Sequence, residues 1–377
     1  MKLDLNEIRQ QIDTVDASMV ELFEKRMELC KNVALYKIEN NKNVFDKQRE
    51  LEKIEKVVSL AGSEFNKKGV EELITQIMSI SRKLQYQLLA ENGMGMEIPF
   101  SKVSGIRKEN VKVVYQGVPG AYSHQAMINY FGKDVDNFNV KSFREAMECI
   151  RDGLADYAVL PIENTTAGIV NDTYDLLVEF DNCIVDQTDV VVRHALLGTM
   201  DATIDDIKVV YSHPQGLMQC NDFLEEHRDW QQIAQPNTAG SAKKVLEENL
   251  KSQAAIASME AAEIYGLKVL KENINYNSEN TTRFIIVAKN KIYCENAGKV
   301  GICFEIPHES GSLYNLLSHF IYNGLNLTKI ESRPIKEKSW EYRFFVEFDG
   351  NFDDPGTKNA IRAVNEEASS LKILGNF

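Results

Sequence analysis

The 377-residue chain is 44% hydrophobic and 26% charged with a net charge of −13, a soluble composition with room for about two to three domains. No run of about 18 apolar residues exists, which excludes a membrane-spanning helix. The acidic balance argues against nucleic acid as a partner.

The first residues, MKLDLNEIRQ, carry acids early and no apolar core, so a signal peptide is not expected and a cytoplasmic protein is. Six cysteines lie far apart, at 30, 149, 183, 220, 294 and 303, without a C-x-x-C pair. Reduced thiols are expected rather than a disulfide framework or a zinc site. Residues 4–42 read as one helix with Ile8, Ile12, Val15, Met19, Leu22, Leu29 and Val33 on a single stripe. Such a helix is about 57 Å long. Two shorter helices are predicted over 46–60 and 69–91, separated by Gly62 and Gly69. Three helices of such unequal length cannot bury the first stripe within one chain, so an intertwined dimer is expected. Residues 1–90 hold 15 basic and 15 acidic groups, so the whole net charge falls on 91–377.

Polar groups interrupt this apolar pattern. Arg26 occupies a seam position, and Lys37, about three turns on, shares its face. Asp46, Arg49 and Glu50 share a face of the second helix, and Ser81 and Gln85 stand where the third should be apolar. Polar groups inside an apolar bundle imply a cavity for a polar ligand. The alternative is purely structural, with Arg26 paired to Glu50 and Lys37 to a surface acid. No histidine lies in this region, so no metal is implied. Together with Arg9, the set resembles the all-helical chorismate mutases over residues 4–90. The resemblance implies that Arg26 and Arg9, the latter from a partner subunit, clamp the carboxylates of chorismate. Lys37 and Gln85 would donate to the ether oxygen. Glu50 and Arg49 would hold the ring hydroxyl, with Asp46 and Ser81 in support.

Residues 92–110 lose periodicity and gather Gly, Pro and Ser, as a linker does. Short β-branched runs follow at 111–115, 157–160, 183–187, 208–211, 254–257 and 284–288. They alternate with helical patterns such as 142–152 and 240–250, which indicates an α/β domain. A Gly-rich turn at 117–123 precedes a helix and suits an anion. It lacks G-x-G-x-x-G, so a dinucleotide enzyme is not supported. Polar clusters also close the strands at Glu163-Asn164-Thr165 and Ser212-His213, with Gln219 beyond, and open the strand at Thr282-Arg283-Phe284. Four clusters at four strand ends imply one cleft. No G-x-S-x-G accompanies the Ser-His pair, so a hydrolase is not indicated.

The stretches PIENTTAG, YSHPQ and Thr-Arg-Phe resemble prephenate dehydratase over residues 111–290. The fold implied is two α/β lobes around a cleft, like periplasmic solute-binding proteins. Thr282 would donate a proton to, or polarise, the departing hydroxyl, with Glu163 as the alternative acid if burial raises its pKa. Arg283 would supply charge or instead hold the loop, and Asn164, Thr165, Ser212 and Gln219 would contact the substrate.

Residues 299–377 read strand, helix, strand, strand, helix, strand, the ferredoxin-like α+β order βαββαβ. Gly311-Ser312-Leu313 opens the first helix and Glu331-Ser332-Arg333-Pro334 ends the second strand. These features resemble ACT-type amino-acid-binding domains, which implies a phenylalanine sensor.

The expected organisation is a multidomain chain: an all-α mutase at 1–91, a linker at 92–110, an α/β dehydratase at 111–290 and an ACT domain at 297–377. Its partners would be chorismate, prephenate and L-phenylalanine, as a homodimer or higher homo-oligomer, with no cofactor, metal, nucleic acid or membrane. The alternatives are a non-catalytic solute-binding sensor and an enzyme with one domain kept as scaffold.

Overall fold

The computed structural model describes residues 4–93, 96–309, 311–335, 338 and 341–377. They form two compact units, one of Met1–Pro99 with Gly298–Lys372 and the other of Phe100–Ala297 with Ile373–Phe377.

The first unit opens with three helices. Helix α1, Leu5–Glu39, starts where the Asp4 carboxylate accepts the Asn6 and Glu7 amides. Helix α2, Lys47–Val58, is capped by Asp46, and helix α3, Glu64–Glu91, by Ser63. The expected break at Gly69 is absent. Ser63 sets the start of α3 and the helix runs through Gly69, a cost of about 1 kcal/mol that a long helix absorbs. Ala34 is the buried residue of α1. Its apolar stripe is otherwise open, with Val15 58%, Leu22 67% and Leu29 59% exposed.

The rest of this unit is a sheet with two helices, its last strand belonging to it only as far as Lys372. The strands are Lys299–Glu305, Leu327–Pro334, Tyr342–Asp349 and Ser370–Asn376, and the helices Ser312–Tyr322 and Pro355–Glu367. Taken in chain order, the strands lie as fourth, first, third, second across the sheet. Leu327–Pro334 is the edge strand, where the missing Pro334 amide is tolerated. Ala363 of the last helix joins Ala34, Val44, Tyr86 and Leu89 in one core, which fastens that helix to α1 and α3.

The second unit has two α/β lobes. In the first lobe the strand order is Cys183–Val191, Thr281–Ala288, Tyr157–Asn164, Lys112–Gln116, Asp136–Val140. Val113, Tyr115, Val159 and Ile286 lie in its core. The second lobe has the order Lys268–Lys271, Ala195–Gly198, Gln253–Ala257, Val209–Ser212, Gln231–Ala234. The chain crosses between the lobes twice, after Val191 and after Lys271. The crossings are tied together: Val192 N–H donates to Asn280 O at 2.7 Å and Ile274 N–H to His194 O at 3.0 Å.

The strand from Tyr157 ends at Asn164, where the polar cluster was expected, and a bulge that places Phe284 opposite Pro161 and Arg283 opposite Glu163 accommodates its proline. One expectation is corrected here. The latter part of the expected linker is fixed: Ser101–Val103 pairs in parallel with Ile292–Cys294. Met94 and Gly95 lie outside the described residues. Among the described residues no helix is long and apolar enough to cross a membrane.

Candidate active sites

Inside the helical bundle, Arg26, Lys37, Glu50, Ser81 and Gln85 are drawn in from three helices. Arg26 Nη1 donates to Ser81 Oγ and lies 3.8 Å from Cys30 Sγ. Lys37 Nζ donates to the Val44 carbonyl at 2.5 Å. Burial lowers the Lys37 pKa, with nearby Glu366, Glu50 and Asp46 opposing it. Gln85 Nε2 donates to Ser81 O at 3.2 Å, and its buried Oε1 has no hydrogen-bond partner among the described residues. The partners of both cations are thus a hydroxyl and a carbonyl, a set that still has charge to offer an anion.

The structural alternative, an Arg26–Glu50 pair, does not form. Glu50 Oε2 instead stands 2.5 Å from Arg82 Nη1. Arg82 was not among the sequence candidates, although Met78, Arg82, Tyr86 and Leu89 are all buried and their spacing marks one helical face. Asp46 caps α2 through the Arg49 amide at 3.0 Å. The Arg49 side chain is exposed, 3.9 Å from Glu52. Arg9 is exposed near the start of α1, about 25 Å of helix away from Arg26. Within one chain it does not join the set.

In the second unit, the ladder sets Thr282 opposite Asn164 and Arg283 opposite Glu163. Asn164 organises this corner. Its Nδ2 donates to Thr282 Oγ1 and Asn280 Oδ1, both at 2.8 Å, while its Oδ1 accepts the Thr166 and Ala167 amides at 3.0 and 2.8 Å. Thr165 Oγ1 accepts the Thr281 amide at 3.0 Å. Arg283 reaches Glu163 Oε2 at 3.2 Å and Gln187 Oε1 at 3.3 Å. The Glu163 side chain is 38% exposed and faces the Arg283 guanidinium.

Ser212 and Gln219 are not presented to this corner. Ser212 is fully buried in the second lobe and donates to Ile256 O at 2.8 Å. Gln219 Oε1 lies 2.9 Å from His194 Nε2 at the first crossing, and the Tyr122 hydroxyl lies 3.1 Å from His194 Nδ1. Burial lowers the His194 pKa, opposed by Gln219. The Gly-rich turn rests on the second lobe: Ser258 Oγ donates to Gly120 O at 2.8 Å and Tyr265 to Pro119 O at 2.8 Å. Gly120 has φ +84°, and a Cβ there would meet Ala261 Cα at 2.9 Å, so no other residue fits. A cavity of about 460 Å³ opens between the lobes, lined by Tyr122, Gln125, Asp189, Arg193 and Glu260.

In the βαββαβ segment, Gly311, Ser312 and Leu313 line a cavity of about 330 Å³ with Ile306, His308 and Phe344. Glu331, Ser332, Arg333 and Pro334 do not line it. They lie on the neighbouring strand, where Ser332 faces Phe344 and Pro334 faces Tyr342 across the ladder.

Residues 8–86 match the family model for chorismate mutase type II, and residues 113–292 that for prephenate dehydratase. The bifunctional chorismate mutase/prephenate dehydratase of Aquifex aeolicus is 30% identical over 99% of this chain and 98% of its own length. That of Pseudomonas aeruginosa is 30% identical over 99% and 97%. Among solved structures, the prephenate dehydratase of Arthrobacter aurescens in complex with L-Phe is 29% identical with a TM-score of 0.66, covering 70% of this chain and 89% of that one. With both helical and α/β parts matched and the full length aligned, the chain belongs to the bifunctional chorismate mutase/prephenate dehydratase family.

Proposed function

We propose that this protein turns chorismate into phenylpyruvate in two steps, with residues 1–91 as the mutase, 111–290 as the dehydratase and 297–377 as an ACT-type sensor. The observation that carries the first step is the pair of inward cations, Arg26 and Lys37, bonded to a hydroxyl and a carbonyl rather than to carboxylates. A pericyclic rearrangement needs no nucleophile. It needs the compact conformer held and the charge growing on the ether oxygen stabilised. Arg26 clamps a carboxylate, Lys37 and Gln85 donate to the ether oxygen, and Glu50 takes the ring hydroxyl with Arg49 nearby. Asp46 and Ser81 support α2 and Arg26. Arg9 enters from a second copy, and the open stripe of α1 is the surface on which two copies pair.

In the second step prephenate loses carbon dioxide and its ring hydroxyl as the ring becomes aromatic. The Thr282 hydroxyl accepts from Asn164 Nδ2, which leaves its own proton to point at the leaving hydroxyl. Threonine is a weak acid, so its part is to polarise the bond and share a proton with the departing oxygen. Arg283 holds the retained carboxylate side of the site, and Glu163 and Thr165 fix Arg283 and the loop. Ser212 and Gln219 serve the second lobe and the crossing.

L-phenylalanine would occupy the cavity beside Gly311, Ser312 and Leu313, with Glu331, Ser332, Arg333 and Pro334 closing it through a paired copy. The L-Phe complex of the Arthrobacter dehydratase supports this effector. Free thiols at all six cysteines suit the cytoplasm.

The test is to incubate the purified chain with chorismate and no added cofactor. Phenylpyruvate is expected. Accumulation of prephenate would remove the dehydratase, and unchanged chorismate would remove the whole reading.

A further inference from the structure

Glu50 is gripped by a residue that nothing in the mutase pattern calls for. Arg82 lies in the second half of α3 and is 6% exposed. Its guanidinium is enclosed by Glu50 of α2, by Glu367 Oε1 at 2.8 Å from Nε, and by the Phe45 ring at 5.1 Å. Glu367 is the last residue of the helix Pro355–Glu367. His319 Nε2, on the other helix of the same segment, stands 2.9 Å from Glu367 Oε1. Beside it, Glu366 accepts from the Tyr86 hydroxyl at 2.9 Å and from the Phe45 amide at 3.1 Å.

Burial works against charge on both partners. Even so, Glu367 and Glu50 hold the Arg82 pKa above its ordinary value, and His319 and Arg82 hold the Glu367 carboxyl below its own. Arginine suits this position because its fork reaches two carboxylates on different helices from two nitrogens, which the single nitrogen of lysine does not. Removing one member leaves a buried charge without its counterion, so the remaining groups must move. Glu50 keeps 20% side-chain exposure, so one edge stays open to a ligand while Arg82 fixes the other.

We propose that Arg82 is a positioning residue of the mutase site: it aims the Glu50 carboxylate, and Glu367 holds it in place. Mutase turnover then depends on the C-terminal helix being docked on α3. This rests on the assignment of Glu50 to the mutase step.

The test uses the full chain and four variants: Glu50→Gln, Arg82→Met, Glu367→Gln and the Arg82→Met/Glu367→Gln double. Chorismate consumption at saturation is measured together with dehydratase turnover on supplied prephenate and the melting temperature. The isosteric Glu367→Gln change should lower mutase kcat about tenfold and leave dehydratase turnover as in the parent. The double variant should be no slower than Arg82→Met alone, because Glu367 acts through Arg82. A Glu367→Gln protein that melts earlier yet keeps the parent's mutase kcat would show a structural tie only and overturn the proposal, as would additive losses in the double variant. If Arg82→Met fails to fold, Glu367→Gln decides alone. Parent-like turnover in Glu50→Gln would sink the site reading itself. Slow turnover there with normal turnover in Glu367→Gln would sink this inference alone.

Discussion

Asn164→Ala removes the side chain that organises the dehydratase corner. Lost with it are the bonds from Nδ2 to Thr282 and Asn280 and the acceptance of the Thr166 and Ala167 amides. At about 1 kcal/mol net for each bond, the local loss is on the order of 3–4 kcal/mol. The turn loosens while the sheet core, made of other residues, stays. Thr282 then loses the donor that orients its hydroxyl, and a misplacement near 1 Å costs about 100-fold in turnover. Asn164→Asp separates the two effects, since its oxygens still accept the two turn amides but nothing donates to Thr282. The assay is phenylpyruvate formed from supplied prephenate, with mutase turnover as the internal control. Both variants should lose dehydratase turnover, and the Asp variant should keep most of the stability. An Asn164→Asp protein with the parent's kcat would refute the claim that donation to Thr282 matters.

The two activities should also separate genetically. Lys37→Ala should abolish chorismate consumption and spare prephenate turnover, and Thr282→Ala should do the reverse by orders of magnitude; loss of both in either variant would contradict two independent sites. Leu22→Glu with Leu29→Glu places charge on the open stripe of α1, so sedimentation should show a smaller assembly than the parent; an unchanged mass would refute pairing through that stripe. Stability of the α/β unit should fall as the pH drops below about 6.5. Unfolded His194 takes up a proton at its ordinary pKa near 6.5, whereas the folded group, with its pKa lowered by burial, stays neutral until a lower pH. Each such group costs up to about 1.4 kcal/mol per pH unit within that window. The urea concentration that halves dehydratase activity should therefore be lower at pH 5.5 than at pH 7.5. No difference, or the same difference in His194→Asn, would count against it.

The α1 stripe was legible because helical spacing is a local property, and the exposed Val15, Leu22 and Leu29 sit on it. The start of α3 was misread because Gly69 is a conspicuous interruption, whereas the Ser63 cap that outweighs it is a single hydrogen bond to Asn66. The bulge at Pro161 was not legible, since a bulge is a property of two strands and not of one. Ser212 has the chemistry and the strand-end position of a ligand contact, yet its hydroxyl goes to Ile256 of the adjacent strand. Arg82 was invisible for the same kind of reason: its spacing shows a buried face, but its counterion Glu367 is 285 residues further on.

That separation bears on how the chain is made. Tyr86 and Leu89 share a core with Ala363, and everything between is threaded out first. At about 5–20 residues per second, the ribosome needs on the order of 15–55 s to deliver the last piece. During that interval the nascent bundle carries an uncovered greasy flank and an Arg82 with Glu50 but not Glu367 beside it, a ready client for a holding chaperone. An early stop codon would leave that flank open for good.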